Sequence, residues 1–366
     1  MSAPSIRVLV VDDSALMRKL IPQILETDSS IQVVGTAMDG NFGLKKIEEL
    51  KPQVITLDLE MPGMGGLDML KEIMRRHRIP VIVVSSHSTK GASVTLKALS
   101  MGAFDFVAKP GEGSMHMQAV TMELISKIKA AAQSRGIPIR ANADFATPAP
   151  QPKGKPGTKI TPTRIVAIAL STGGPQALQY LLSQLPADFP GSIVVVQHMP
   201  EGFTDMFARR LDECCALHVK EAQSGDLLLA GRVMICPGNR HLKVKRMPLG
   251  NVAVLNEDSP VNGHRPSADV MFQSAAEQFG DQVLGVLMTG MGEDGARGLG
   301  LIKAAGGMTI AQGEQSCVVF GMPKVAIERG HAMRVVELEA LAGTLQAQCR
   351  PGRDLSADQA AGAGQS

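Results

Sequence analysis

Four residues in the first third of the chain share a chemistry: Asp12, Asp13, Asp58 and Lys109. Each closes or follows a short apolar run that reads as a β-strand. In a doubly wound sheet that carboxyl edge is where ligands bind. Three carboxylates gathered there repel one another, and a divalent cation with oxygen ligands relieves the repulsion. Mg²⁺ suits a site of few carboxylates plus water. Lys109 then offers a compact positive charge to a phosphoryl oxygen, and Ser85, closing another run, offers a hydroxyl to the same oxygen. Taken singly, each residue has a plainer reading. Asp12 and Asp13 cap the helix that starts near Ser14, Asp58 is a turn residue before MPGMGG, and Lys109 is a solvated charge. Their joint placement at the ends of the first, third and fifth runs favours the site.

A second set lies further on. Ser171 follows the apolar run 164–170 and precedes Thr172, Gly173, Gly174 and Pro175. Glycines permit a tight strand-to-helix turn, and proline fits the first helical turn. The serine hydroxyl then stands near helix N–H groups able to stabilise an oxyanion. His198 follows the run 192–197, and Asp294 lies in the loop TGMGEDG (289–295) after the run 282–288. Nucleophile, imidazole and carboxylate thus reach one sheet edge, which is how a Ser–His–Asp triad is recognised. Here too there are plain alternatives: Ser171 as a helix cap, His198 as a packed strand-end histidine, Asp294 as a cap. His241, after PGNR, is a rival base, while His218 and His264 have weaker settings. GMGEDG (290–295) also matches G-x-G-x-x-G, with Glu314 near the distance of a ribose-binding acid. Glu293 and Asp294 would put negative charge into a pyrophosphate cradle, which argues against a dinucleotide site.

The elements that must position these groups repeat twice. Runs at 6–11, 31–36, 53–58, 79–85 and 104–108 alternate with amphipathic stretches. Each is short and apolar on both faces, as a covered parallel strand is. A second α/β pattern has strands at 164–170, 192–197 and 282–288, and helices near 175–185, 202–213 and 267–280. A further strand and helix are expected near 307–311 and 322–329. Residues 217–256 hold strand-like runs whose order the sequence leaves open. The fold class is therefore α/β, with two doubly wound parallel-sheet domains. The domains are expected at 1–133 and 164–348, with a flexible linker over 134–163, rich in Pro, Ala and Gly, and a disordered tail over 349–366.

Composition excludes several classes. Lys plus Arg number 37 against 35 Asp plus Glu, so no excess charge points to nucleic acid or an anionic membrane. One Tyr and no Trp exclude an aromatic base-stacking platform. No run is long enough to span a membrane, and MSAPSIRVLVVDD does not read as a signal peptide. Five cysteines without a CxxC support neither a disulfide framework nor a zinc knuckle. The expectation is a cytoplasmic protein, and Cys317 reads as packed rather than reactive.

Residues 6–130 resemble a response-regulator receiver domain, through VVDDS (10–14), TLDLEMPGMGGLDML (56–70), VVSSHSTKG (83–91) and FDFVAKP (104–110). The resemblance implies that Asp58 accepts a phosphoryl group. Asp13, Asp58 and the carbonyl of Glu60 would hold Mg²⁺ with support from Asp12. Ser85 and Lys109 would sense the phosphoryl group, and Phe106 would be the switch aromatic. Gly65 departs from relatives that often carry Asp there, with no catalytic consequence.

Residues 164–348 resemble the catalytic domain of chemotaxis protein-glutamate methylesterases. The matching pieces are ALSTGGPQAL (169–178), VVVQHMP (194–200), CPGNRHL (236–242), NGHRPSADVMFQSAA (262–276), LMTGMGEDGARGL (287–299) and QSCVVFGMP (315–323). Ser171, His198 and Asp294 fall on that family's triad. The resemblance implies that the Met291 N–H serves the oxyanion and that Thr172 and Gly173 belong to the cleft. It further implies hydrolysis of glutamyl γ-methyl esters on chemoreceptor helices, glutamine deamidation by the same chemistry, and no cofactor for hydrolysis. A histidine kinase would be the phosphodonor, and the unphosphorylated receiver would cover the cleft. The chain is expected to act as a monomer without nucleic acid or membrane insertion. The competing classes are a DNA-binding output domain, which the α/β pattern disfavours, and a scaffold with a dead esterase site, which the intact triad disfavours.

Overall fold

The computed structural model describes residues 5–86, 88–109, 114–134 and 161–350. The first unit alternates strand and helix: β1 (Ile6–Val11), α1 (Ala15–Leu25), β2 (Ile31–Ala37), α2 (Gly40–Leu50), β3 (Val54–Leu57), α3 (Gly66–Arg76), β4 (Val81–Ser85), α4 (Thr89–Ser100), β5 (Asp105–Ala108) and α5 (Ser114–Gln133). Its parallel strands lie in the order β2-β1-β3-β4-β5. The order reverses between β1 and β3, and the crevice at such a reversal is a ligand site. Asp12 and Asp13 leave β1 there, and Asp58 leaves β3. The cap of α1 is Ser14, whose side chain accepts from the Met17 N–H, so the two aspartates are not its caps.

The second unit carries β6 (Ile165–Leu170), α6 (Gly174–Ser183), β7 (Ser192–Gln197), α7 (Phe203–Cys214), β8 (His218–Glu221), β9 (Arg232–Ile235), β10 (His241–Met247), β11 (Gly250–Asn256), α8 (Ala268–Phe279), β12 (Val283–Leu287), α9 (Ala296–Ala304), β13 (Met308–Gln312), α10 (Met322–Glu328), β14 (Arg334–Val336) and α11 (Leu338–Cys349). Seven parallel strands run in the order β14-β13-β12-β6-β7-β9-β8. Here β6 is the turning point: the chain builds outward through β7 on one side and through β12 on the other. Both central faces are buried, with Ile165 to Leu170 and Ile193 to Val196 almost fully enclosed, as covered parallel strands require.

Two features go beyond the sequence reading. The region 217–256 supplies β8 and β9 to the sheet edge and then an antiparallel ribbon, β10 with β11, outside both parallel sheets. Residue 349, assigned to the tail from the sequence, is instead the buried last residue of α11. Apart from residues 134, 161–163, 349 and 350, the expected linker and tail lie outside the described residues.

The two units touch through α4, α6 and α7. The Phe106 ring stacks on Phe203, with centroids 4.8 Å apart and planes at 18°. The Gln176 amide on α6 donates to the carbonyls of Leu99 (3.2 Å) and Ala103 (3.1 Å).

Candidate active site and phosphoacceptor site

At the carboxyl edge of the first sheet, ligand oxygens of Asp12, Asp13 and Asp58 lie within 4.8 Å of one another. Lys109 Nζ donates to Asp58 Oδ2 at 2.7 Å and stands 3.3 Å from Asp12 Oδ2. Burial raises the Asp12 pKa, and the neighbouring Asp58 charge adds to that rise against the lowering contacts of Ser14 and Lys109. Burial disfavours the Lys109 charge, but the hydrogen bond to Asp58 and the charges of Asp58 and Asp12 outweigh it and hold the ammonium above its ordinary value. Among the described residues Asp12 Oδ2 is buried without a hydrogen bond. An all-oxygen cluster with an unsatisfied buried carboxylate oxygen fits a hard cation such as Mg²⁺.

The other expected receiver residues surround this cluster. The Glu60 N–H donates to Asp58 Oδ1 at 3.1 Å, while its side chain accepts from Ser86. Ser85 closes β4 as expected, but its hydroxyl turns toward α4 and accepts from Thr95 at 2.6 Å. Phe106 is buried against Phe203 rather than exposed.

In the second sheet, β6, β7 and β12 are adjacent, and Ser171, His198 and Asp294 leave their carboxyl ends. Leu170 pairs with Gln197 across β6 and β7, which sets Ser171 beside His198. His198 Nε2 lies 2.9 Å from Asp294 Oδ2. Among the described residues its Nδ1 is buried without a partner. Ser171 and Asp294 do not cap α6 and α9, whose N-caps are Gly173 and Gly295 with no side-chain cap hydrogen bond. Gly173 has φ +75°, and a Cβ there would collide with Val318. A Cβ on Gly290 would lie 2.8 Å from Ser171 Cβ, so the backbone of the loop bearing Met291 rests against Ser171. Thr172 is buried beside it, and its carbonyl accepts from Thr289 Oγ1 at 3.0 Å.

Asp294 is held as an anion. Ser267 Oγ (2.7 Å) and Asn262 Nδ2 (3.1 Å) donate to Oδ1, and the Ala268 N–H (2.7 Å) donates to Oδ2. Burial would raise its pKa, but the bonds from His198, Ser267 and Ala268 win and hold it well below the ordinary carboxylate range. A hydrogen-bonded charge at the start of α8 also gains from the helix dipole.

Sequence reasoning missed Gln197, Asn262, Ser267 and the contact of His264. Gln197 Nε2 donates to the carbonyls of Ser171 and His198. The ring of His264 stacks on His198, centroids 4.0 Å apart and planes at 7°. One signal was available: Asn262 (φ 54°) and Gly263 (φ 77°) form a tight turn closed by mutual Val261–His264 hydrogen bonds, and Asn-Gly is the pair such a turn favours. His241 is excluded as a base. It is fully buried, its Nδ1 accepts from the Ser267 N–H at 3.2 Å, and its Nε2 faces the Ser259 carbonyl. His218 opens β8 on the outer edge of the sheet.

Two parallel-sheet α/β units, one with an acidic phosphoryl-type edge and one with a serine-hydrolase-type edge, define a receiver joined to a hydrolase. Residues 8–121 match the family model described as response regulator receiver domain, and residues 166–345 match that described as CheB methylesterase. A protein-glutamate methylesterase/protein-glutamine glutaminase of Koribacter versatilis is 60% identical, over 98% of this chain and 100% of that one. A namesake from Symbiobacterium thermophilum is 45% identical over 93% and 96%. The crystal structure of the Thermotoga maritima CheB methylesterase catalytic domain matches with TM-score 0.50 and 41% identity, covering 51% of this chain and all of that one. The chain belongs to the CheB family of receiver-linked protein-glutamate methylesterases.

Proposed function

We propose that this protein hydrolyses γ-methyl esters of glutamate on the cytoplasmic helices of chemoreceptors, with Ser171, His198 and Asp294 as its triad. The observation that carries the reading is the pairing of His198 with Asp294 at 2.9 Å, with Ser171 leaving β6 beside the end of β7 that carries His198. Ser171 Oγ attacks the ester carbonyl and passes its proton to His198 Nδ1, the nitrogen that Asp294 leaves free. Asp294 fixes the ring and stabilises the imidazolium. The backbone N–H of Met291 faces the oxyanion, and Thr172 and Gly173 line the cleft. Methoxide leaves with the proton from His198 as methanol. Water then adds to the acyl-enzyme, with His198 again taking a proton, and releases glutamate and Ser171. A glutamine side chain reacts in the same way, with ammonia leaving. None of these steps calls for a cofactor.

The receiver controls this chemistry. A histidine kinase or a small phosphodonor phosphorylates Asp58, and Ser85 and Lys109 then engage the phosphoryl oxygens. Mg²⁺ held by Asp13, Asp58 and the Glu60 carbonyl, with Asp12 beside them, would offset phosphoryl charge. Met291, Val318 and Val319 at the catalytic rim pack against the receiver's apolar cluster, which supports occlusion of the cleft in the unphosphorylated chain. No helix among the described residues is long and apolar enough to cross a membrane, and the substrate places the enzyme in the cytoplasm. Methanol release from methyl-labelled receptor membranes tests the reading. Ser171→Ala and His198→Ala should each lose at least about 100-fold, and a variant releasing methanol at the wild-type rate would overturn it.

A further inference from the structure

We infer that His264 is a positioning residue for His198: its flat ring holds the base in the plane that aims Nε2 at Asp294 and keeps water off it. The inference rests on the triad reading above and deepens it.

The geometry comes from one short turn. Val261, Asn262, Gly263 and His264 close a two-residue loop through paired backbone hydrogen bonds of 2.9 and 3.0 Å. Asn262 and Gly263 both have positive φ, a combination Asn-Gly adopts at little cost. From this turn two side chains serve the triad at once. Asn262 Nδ2 bridges Asp269 Oδ2 (2.9 Å) and Asp294 Oδ1 (3.1 Å), which anchors the loop. The His264 ring lies parallel to His198 at a centroid separation of 4.0 Å. A ring held by a single hydrogen bond can still rotate about that bond. The 2.9 Å contact with Asp294 fixes one point of His198, and a parallel ring on one face fixes its plane.

The stack also bears on charge. Burial, with the nearby His198, pushes the His264 pKa down to about 4 against the opposing charges of Asp294 and Glu123. His264 is therefore neutral where the enzyme works, and it is a wall rather than a second base. The charged groups around it are Asp294 after β12, Glu123 on α5 and His198 itself. Arg265, next in the chain, turns its guanidinium to Asn239 and to the Glu257 carbonyl.

The experiment compares His264→Ala, His264→Phe and His264→Gln in the full chain, with acetyl phosphate and Mg²⁺ present. Initial methanol release from methylated receptor membranes is followed across substrate concentration. Alanine should lower kcat by about 10- to 100-fold, the scale of a mispositioned catalytic group, with KM changed less than about threefold. Phenylalanine keeps a flat ring and should stay within about threefold of wild-type kcat. Should alanine fail to fold by circular dichroism, phenylalanine faster than glutamine carries the same test. Wild-type kcat in the alanine variant would overturn the inference, as would phenylalanine no faster than glutamine. His198→Ala in the same assay separates the two levels. If it is silent while His264→Ala behaves as wild type, only the stacking inference fails. If it is active, the triad reading fails.

Discussion

Asp58 is held by its neighbours on both oxygens, whereas His198 keeps one ring nitrogen unpartnered among the described residues. Asp58 Oδ2 is bound by Lys109, and Oδ1 accepts from the Glu60 N–H, so the carboxylate is fixed at the mouth of a three-aspartate cluster. Acetyl phosphate with Mg²⁺ should place one acid-labile phosphoryl group there, and Asp58→Asn should abolish it. Labelling of that variant at undiminished stoichiometry would reassign the phosphoacceptor. The choice between His198 and His241 is as sharp. The sequence set both near strand ends and could not separate them by position alone. Burial separates them: both nitrogens of His241 are engaged, one of them with the Ser267 N–H. His241→Ala should therefore lose some activity through Ser267 and Asp294, yet far less than the loss in His198→Ala. Methanol release by the two variants under one set of conditions checks the ranking, and a greater loss in His241→Ala would reverse the assignment.

The elements carry the site because adjacent parallel strands deliver their carboxyl ends to one place. Strand ends are legible in sequence, since a covered strand is a short apolar run with a polar residue at its close. Ser171, His198, Asp294, Asp12 and Asp58 were found in that way. Gln197, Ser267 and the His264 stack were not, because their roles depend on which segments fold over one another. Gln197 lies inside β7 and reads as its last residue, and only the turn after β6 gives its amide two carbonyls to hold. The path of β8 to β11 was equally hidden: the runs are visible, but pairing is a long-range choice. Gly173 is an element-scale test. Its φ of +75° costs a side-chain-bearing residue roughly 1–2 kcal/mol, and its Cβ would meet Val318. Gly173→Ala should lower the melting temperature of the catalytic unit and cut esterase activity by roughly tenfold or more. Phosphorylation of Asp58 by acetyl phosphate should be unaffected. Scanning calorimetry with both assays tests this, and wild-type esterase in the variant would show that the turn tolerates a side chain.

At the scale of the whole molecule, the receiver and the hydrolase share an interface built on α4, α6 and α7. Phe106 lies on β5, the strand paired with the β4 that ends at Ser85, and it stacks on Phe203 at the start of α7. Met291, Val318 and Val319 pack against the receiver's apolar cluster, so the receiver stands beside the loops that carry Ser171 and Asp294. Gln176 offers the cleanest way to loosen this docking. Its Nε2 donates to two backbone carbonyls at the end of α4 and the loop before β5, and it lies on α6 outside the triad. Each such bond contributes roughly 0.5–1.5 kcal/mol net, so Gln176→Ala should weaken the closed state by about 1–3 kcal/mol. If the closed state is favoured by about 1.4 kcal/mol, it hides activity roughly tenfold, and the variant should recover most of that without any phosphodonor. Its phosphorylated rate should match that of the phosphorylated wild type, because the chemistry is untouched. Asp58→Asn combined with Gln176→Ala should keep the raised basal rate, whereas Asp58→Asn alone should stay at the low one. Initial methanol release for these four proteins on one receptor preparation decides the matter. A Gln176→Ala chain with unchanged basal activity and a demonstrably opened interface, read by proteolysis at the α4 surface, would defeat occlusion. Positive activation of the hydrolase by the phosphorylated receiver would then be the better account.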